Sequence, residues 1–307
     1  MKKKAGVLIA AVIALALVTY FILPSLLFKI GINSLRKAAG LELKTVAVGD
    51  HKIAYLEGGS GETIIMVHGF AINKDCWTSF AKFITPGFHV IALDLPGFGD
   101  STYLENASYS FDEQAKRLDQ FADALDLPDF HIVGNSMGGS IAAQYAVMFP
   151  DRVITLGLFN SGGVASPEQS DFGQITAKGG PDALIMGSVE DFDRLMPFIF
   201  STPPYIPRFV KKLVVKDAQK HKASNERIFK ELSSELYALE PDLPKIKTRT
   251  LVLWGDQDRI LDVSSVQVFQ NGLPNSTVII LKNCGHVPME ERPQETAEHY
   301  LTFLKSK

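Results

Sequence analysis

Six short runs of β-branched and apolar residues recur along this chain: Thr63–Val67, Val90–Leu93, His131–Gly134, Val153–Phe159, Thr250–Leu253 and Thr277–Leu281. None alternates regularly with polar residues. A strand that is apolar on both faces must be covered on both, which a parallel sheet clothed in helices provides. Helical rhythm fills the intervals. Phe111, Ala115, Leu118, Ala122 and Leu125 recur at i, i+4, i+7 spacing, and Pro293–Leu304 opens on a proline suited to a first helical turn. The fold class is therefore α/β, with a mostly parallel central sheet and helices on both faces.

The alternation breaks at 162–247, where no convincing strand occurs and Val189–Phe200 and Arg208–Lys222 read as helices. This interval is expected to be a helical cap inserted into a core made of 45–161 and 248–307. Its apolar residues, Phe192, Leu195, Phe198, Phe209 and Leu213 among them, are needed first to join cap to body and only second to hold a lipid.

The N-terminus is a different kind of object. Residues 1–44 carry seven Lys/Arg against one acid, Glu42, whereas the rest of the chain holds 24 bases and 33 acids. After Lys2–Lys4, Ala5–Leu23 is uncharged; as a helix it would span about 28 Å, close to the hydrocarbon thickness of a bilayer. A secretory signal cut after Ala14-Leu15-Ala16 is the competing reading, but the apolar run continues to Phe28. Residues 1–28 are thus expected to be a membrane anchor with a single span. Residues 29–44 are expected to be a basic amphipathic linker, lying in a headgroup layer or packed on the body. Bases flank both ends of the span, which blunts the positive-inside rule; the body is assigned to the extracytoplasmic side.

A net charge of −3 offers no positive field for a phosphate backbone, so nucleic acid is not an expected partner. Cys76 and Cys284 are too few for a disulfide framework and lack C-x-x-C spacing. The G-x-G of Gly97-Phe98-Gly99 has Thr102 where a dinucleotide fingerprint needs its third glycine, and no H-E-x-x-H is present. No cofactor or metal is expected.

The sharpest local signal is Gly134-Asn135-Ser136-Met137-Gly138, between the run His131–Gly134 and the small-residue stretch Gly138–Met148. A tight strand-to-helix turn forces a serine into a strained conformation, and flanking glycines relieve the crowding. The bland alternative is Ser136 as an ordinary helix cap. A serine nucleophile needs a base. Of seven histidines, His286 follows the last apolar run, His68 ends the first and His131 begins the third; His51, His89, His221 and His299 lack motif context. The base needs an orienting acid, and Asp256, Asp258 and Asp262 all follow Leu251–Trp254. Spacing alone does not choose among them, although Asp262 resembles an N-cap for a helix over Val263–Asn271 and Asp256 a turn stabiliser. Two oxyanion donors are expected from the backbone amides of Met137, after the nucleophile, and Phe70, in His68-Gly69-Phe70. Asp94–Ser101 reads as a tight turn bordering the same site.

HGF, DLPGFGDS, GNSMGG, WGDQD and CGH, spread over residues 45–305, together resemble the α/β-hydrolase fold superfamily. Within it, HGFAINKDCW, WGDQDRILDV and NCGHVPMEERP are most similar to membrane-anchored monoacylglycerol lipases and to related bacterial lipases and esterases. The resemblance implies Ser136 as nucleophile, His286 as general base and Asp258 as acid. The implied activity is hydrolysis of carboxylic esters of single-chain lipids through an acyl-enzyme, without a cofactor. C–C hydrolases of ring-cleavage products carry similar elbows but have a tryptophan where Val287 stands. Haloalkane dehalogenases need a carboxylate nucleophile, and a silent binding protein would be expected to lose a triad member.

Overall fold

A computed structural model describes residues 23–177, 184–235 and 238–306. Residues 1–22 of the expected anchor lie outside them, and no described helix is long and apolar enough to cross a membrane. The first described element, α1 (Leu23–Ala38), straddles the expected boundary at residue 28. It buries none of its residues, and Leu23, Leu26, Leu27, Ile30 and Leu35 are exposed. Its last turn is tied to the body, because Arg36 forms a two-armed salt bridge with Asp75 at 2.6 and 2.7 Å.

Leu41–Lys44, read from sequence as linker, instead begin β1 (Leu41–Val48), which turns through Gly49-Asp50 into β2 (His51–Gly58). This antiparallel hairpin was not legible in the apolar pattern. Residues 42–45 of β1 are all exposed, and β1 lies at the edge of the sheet, with β2 its only neighbour among the described residues. Then follow β3 (Thr63–Val67), α2 (Thr78–Ile84), β4 (His89–Leu93), α3 (Phe111–Ala124), β5 (Phe130–Asn135), α4 (Met137–Met148) and β6 (Val153–Phe159). The interval before β7 (Thr250–Gly255) holds α5 (Asp171–Ala177), α6 (Val189–Ile199), α7 (Arg208–Lys220) and α8 (Lys222–Leu232), and no strand among the described residues. The helix expected over Arg208–Lys222 is thus two helices broken at His221. The chain closes with α9 (Ser265–Gly272), β8 (Ser276–Leu281), α10 (Pro288–Glu291) and α11 (Pro293–Lys305).

The eight strands lie in the order β1-β2-β4-β3-β5-β6-β7-β8, antiparallel at the β1–β2–β4 end and parallel from β4 onward. The unbroken apolar runs follow from two-sided burial. Ile65, Val67, Ile132, Leu156, Leu158 and Val252 share one core with Ala115, Leu118, Ile141 and Phe269, from α3, α4 and α9. Ile64, Met66, Val133, Phe159, Leu251 and Leu253 share another with Phe80 and Tyr300, from α2 and α11. Register then fixes where chemistry can gather. Val67 pairs with Gly134, Asn135 with Phe159, Phe159 with Leu253 and Gly255 with Leu281, so β3, β5, β6, β7 and β8 all end at one edge. The loops at the carboxyl ends of parallel strands are where open α/β sheets bind ligands.

Candidate active site

Ser136 sits between β5 and α4 at φ 55° and ψ −121°, a conformation that a side chain rarely adopts. Close backbone contacts hold it there. A Cβ on Gly134 would lie 2.1 Å from the Gly138 carbonyl oxygen, and one on Gly138 would lie 2.2 Å from that of Val67. Both glycines are therefore required by the tightness of the turn itself. The Ser136 carbonyl accepts N–H bonds from Gly139, Ser140 and Gly162, which lock the elbow from behind.

His286 lies in the loop after β8, with Nδ1 2.8 Å from Asp258 Oδ2. Its backbone is held at both ends: its N–H donates to the Ile199 carbonyl at 2.7 Å, and its carbonyl accepts from Asn135 Nδ2 at 2.9 Å. That second bond brings the residue before Ser136 against His286, so the loop that carries His286 and the turn that carries Ser136 are bonded neighbours. Glu291 closes the loop further by accepting the N–H groups of Gly285 and Ser201 through Oε2.

The three carboxylates after β7 have separate partners. Asp256 accepts the Asn283 N–H at 2.7 Å and so braces the loop that carries His286. Asp262, expected to be an N-cap, instead accepts the N–H of Ser264 at 2.8 Å in a turn two residues on, and α9 begins only at Ser265. Asp258 alone reaches the imidazole. Its Oδ1 also accepts the N–H groups of Ile260 and Leu261, at 2.8 and 3.0 Å.

The other histidines considered as bases are committed elsewhere. His68 is fully buried, bonding the Gly69 carbonyl through Nδ1 and accepting the Leu95 N–H at Nε2. Burial holds its pKa below the ordinary value, so it is a neutral structural ring. His131 bonds Thr155 near the start of β5, away from the carboxyl edge, and burial lowers its pKa too. Burial pushes the Cys284 thiol up to about 12, which removes it as a nucleophile at neutral pH.

Of the two expected oxyanion donors, Met137 directly follows Ser136 and Phe70 lies in the loop after β3. Met137 opens α4, where first-turn amides lack intrahelical acceptors. Gly69, just before Phe70, lies so close that a Cβ there would sit 3.3 Å from Ser136 Cβ. The Phe70 ring packs on Phe98 and on Phe229 of α8, with centroids 5.8 and 5.2 Å away. The Asp94–Ser101 turn is anchored from beneath by Lys74, a lysine only 1% exposed, whose Nζ lies 2.7 Å from Asp94 and 2.8 Å from Asp100. Removing Lys74 would strand the fully buried Asp94 carboxylate without a counter-charge, at about 3–5 kcal/mol.

Sequence reasoning passed over Asn135, Asn160 and Glu291 as site residues. The two asparagines have no acid–base or nucleophilic side chain, Glu291 spends its carboxylate on backbone N–H groups, and the one signal for Asn160 is its place directly after β6.

A model of the α/β hydrolase fold family matches residues 62–293. The chain belongs to that family. It is 34% identical over 309 residues to a monoacylglycerol lipase of Xenopus laevis, covering 95% of this chain and 91% of that protein. It is 35% identical to Lipase 1 of Psychrobacter immobilis, covering 87% of this chain and 86% of that protein. Among solved structures, that of a membrane phospholipase A described as a bacterial virulence factor superposes with a TM-score of 0.93 at 43% identity, covering 99% and 98% of the two chains.

Proposed function

We propose that this α/β hydrolase cleaves the carboxylic ester of single-chain lipids, with Ser136 as nucleophile, His286 as general base and Asp258 as the orienting acid. The observation that carries this reading is the 2.8 Å contact between His286 and Asp258, in a loop bonded to an elbow that holds Ser136 at positive φ. The names of the relatives, monoacylglycerol lipase and lipase, support the substrate class. Ser136 Oγ attacks the ester carbonyl as its proton passes to His286, the Phe70 and Met137 amides receive the oxyanion, and the alcohol leaves with that proton. Water, deprotonated by the same histidine, then releases the fatty acid from the acyl-serine.

The helices between β6 and β7 are read as a cap that encloses one acyl chain, which favours monoacylglycerol over triacylglycerol. Monoolein is expected to turn over faster than triolein emulsions, and p-nitrophenyl esters from C2 to C16 should rank the chain-length preference. Faster hydrolysis of triolein would mean an open site; cleavage of a vinylogous diketone acid with no ester turnover would transfer the chain to the C–C hydrolases.

The chain is further proposed to associate with membranes through a span in residues 1–28, with the exposed apolar stripe of α1 at the headgroup level. That the related phospholipase A is a membrane enzyme supports the association. The full chain should stay with membranes through high-salt and carbonate washes, and removal of residues 1–28 should release it while sparing turnover of dissolved esters. Release of the full chain by carbonate would leave only a peripheral attachment.

A further inference from the structure

Strand β6 runs between the strand that carries Ser136 and the strand that carries Asp258, so the residue that ends it enters the site from between nucleophile and acid. That residue is Asn160, fully buried and at φ 44°, with its backbone N–H bonded to the Leu253 carbonyl at 2.9 Å. Its side-chain Nδ2 lies 2.7 Å from Asp258 Oδ2 and 3.3 Å from the Gly285 carbonyl, while its Oδ1 accepts the Gly255 N–H at 3.3 Å. The donor at Gly255 fixes which way the amide points. The opposite orientation would set an amide oxygen against a carboxylate and an NH2 group against an N–H.

We propose that Asn160 is a positioning residue of this site: it locks the Asp258 carboxylate, and through it the imidazole of His286, in the orientation that lets the histidine act as base. The inference rests on the triad reading above. Asp258 Oδ1 takes two backbone N–H bonds, and Oδ2 takes the His286 ring and the Asn160 amide. Every acceptor site of the carboxylate is thereby matched, and rotation about its Cβ–Cγ bond would break all four contacts at once. Asparagine meets both demands of the position. It tolerates positive φ better than most side chains, and it supplies a donor without a positive charge that would compete with the imidazolium for the carboxylate. The same amide holds the Gly285 carbonyl, one residue before His286, so acid and base are indexed to a single side chain.

Of the other charges around this loop, Glu291 bonds Gly285 N–H, Asp256 bonds Asn283 N–H and Lys282, Arg292 pairs with Glu295, Arg259 pairs with Asp171, and Glu290 stands four residues beyond His286. They are unchanged in the variants that follow, so a shift in pH response reports on Asn160 itself.

The test uses the full chain in detergent, a soluble p-nitrophenyl ester across pH 5 to pH 10, and Asn160→Gly, Asn160→Asp and Asp258→Asn. Asn160→Gly keeps the backbone conformation and removes the donor. We expect kcat to fall about 10- to 100-fold, the range that one lost hydrogen bond to a charged group converts to. The low-pH limb of kcat/KM should also move upward, because a carboxylate relieved of one donor favours the protonated imidazole more strongly. Asn160→Asp is nearly isosteric and sets a second carboxylate against Asp258, so its low-pH limb should move upward further than that of Asn160→Gly, because two carboxylates favour the protonated imidazole more strongly than one. Parent-like profiles in both folded variants, or a kcat loss with no movement of the low-pH limb, would overturn the assignment. If Asn160→Gly does not fold, the Asn160→Asp profile decides alone. Retained activity in Asp258→Asn would instead sink the triad reading, which keeps the two failures distinct.

Discussion

Ser136→Ala is expected to lower kcat on a soluble ester by about 10⁶-fold, leaving the ~10³–10⁴-fold advantage over water that oxyanion binding alone sustains. The size of the effect follows from the elbow. Its strained backbone at φ 55° and the close contacts at Gly134 and Gly138 hold one side chain at the carboxyl edge of the sheet, against Gly69. The melting temperature should change little, because the Ser136 carbonyl rather than its hydroxyl receives the bonds from Gly139, Ser140 and Gly162. A fluorophosphonate should label the parent protein stoichiometrically and the alanine variant not at all. Turnover by Ser136→Ala near the parent rate would remove the acyl-enzyme, and with it the roles given to His286 and the two amides.

What could be read from sequence divides along physical lines. The parallel strands declare themselves because burial on both faces leaves no polar alternation, as Ile64, Ile65, Met66 and Val67 illustrate. The hairpin of β1 and β2 does not, because Glu42–Thr45 of this edge strand face water. The break at His221 is hidden for a similar reason: α7 and α8 each bury only part of one face, and lysines on both sides mask the change of direction. Within the site, the residues with reactive side chains carry motif context. Asn160 and Asn135 act by hydrogen bonds to Asp258 and His286, 98 and 151 positions away along the chain, and no local pattern encodes such pairings.

The most discriminating set of variants concerns the three carboxylates that follow Trp254. Asp258→Asn is expected to lower kcat by about 10⁴-fold, since an amide opposite the ring no longer fixes the reactive tautomer or stabilises the imidazolium formed when Ser136 loses its proton. The fold should survive, because Oδ1 can still accept the Ile260 and Leu261 amides that shape the turn. Asp256→Asn should act differently. The Asp256 carboxylate holds the Asn283 N–H, three residues before His286, so weakening it loosens the base loop and lowers stability on the order of 1 kcal/mol, with a far smaller loss of kcat. Asp262→Ala removes the acceptor for the Ser264 N–H ahead of α9, again at about 1 kcal/mol, with kcat nearly intact. Measuring kcat and melting temperature together separates these roles, because orientation of the base affects the first and bracing of the turns the second. A large kcat loss in Asp256→Asn or Asp262→Ala with Asp258→Asn unaffected would mean that the 2.8 Å contact between Asp258 and His286 is structural and that the acid of this hydrolase lies elsewhere.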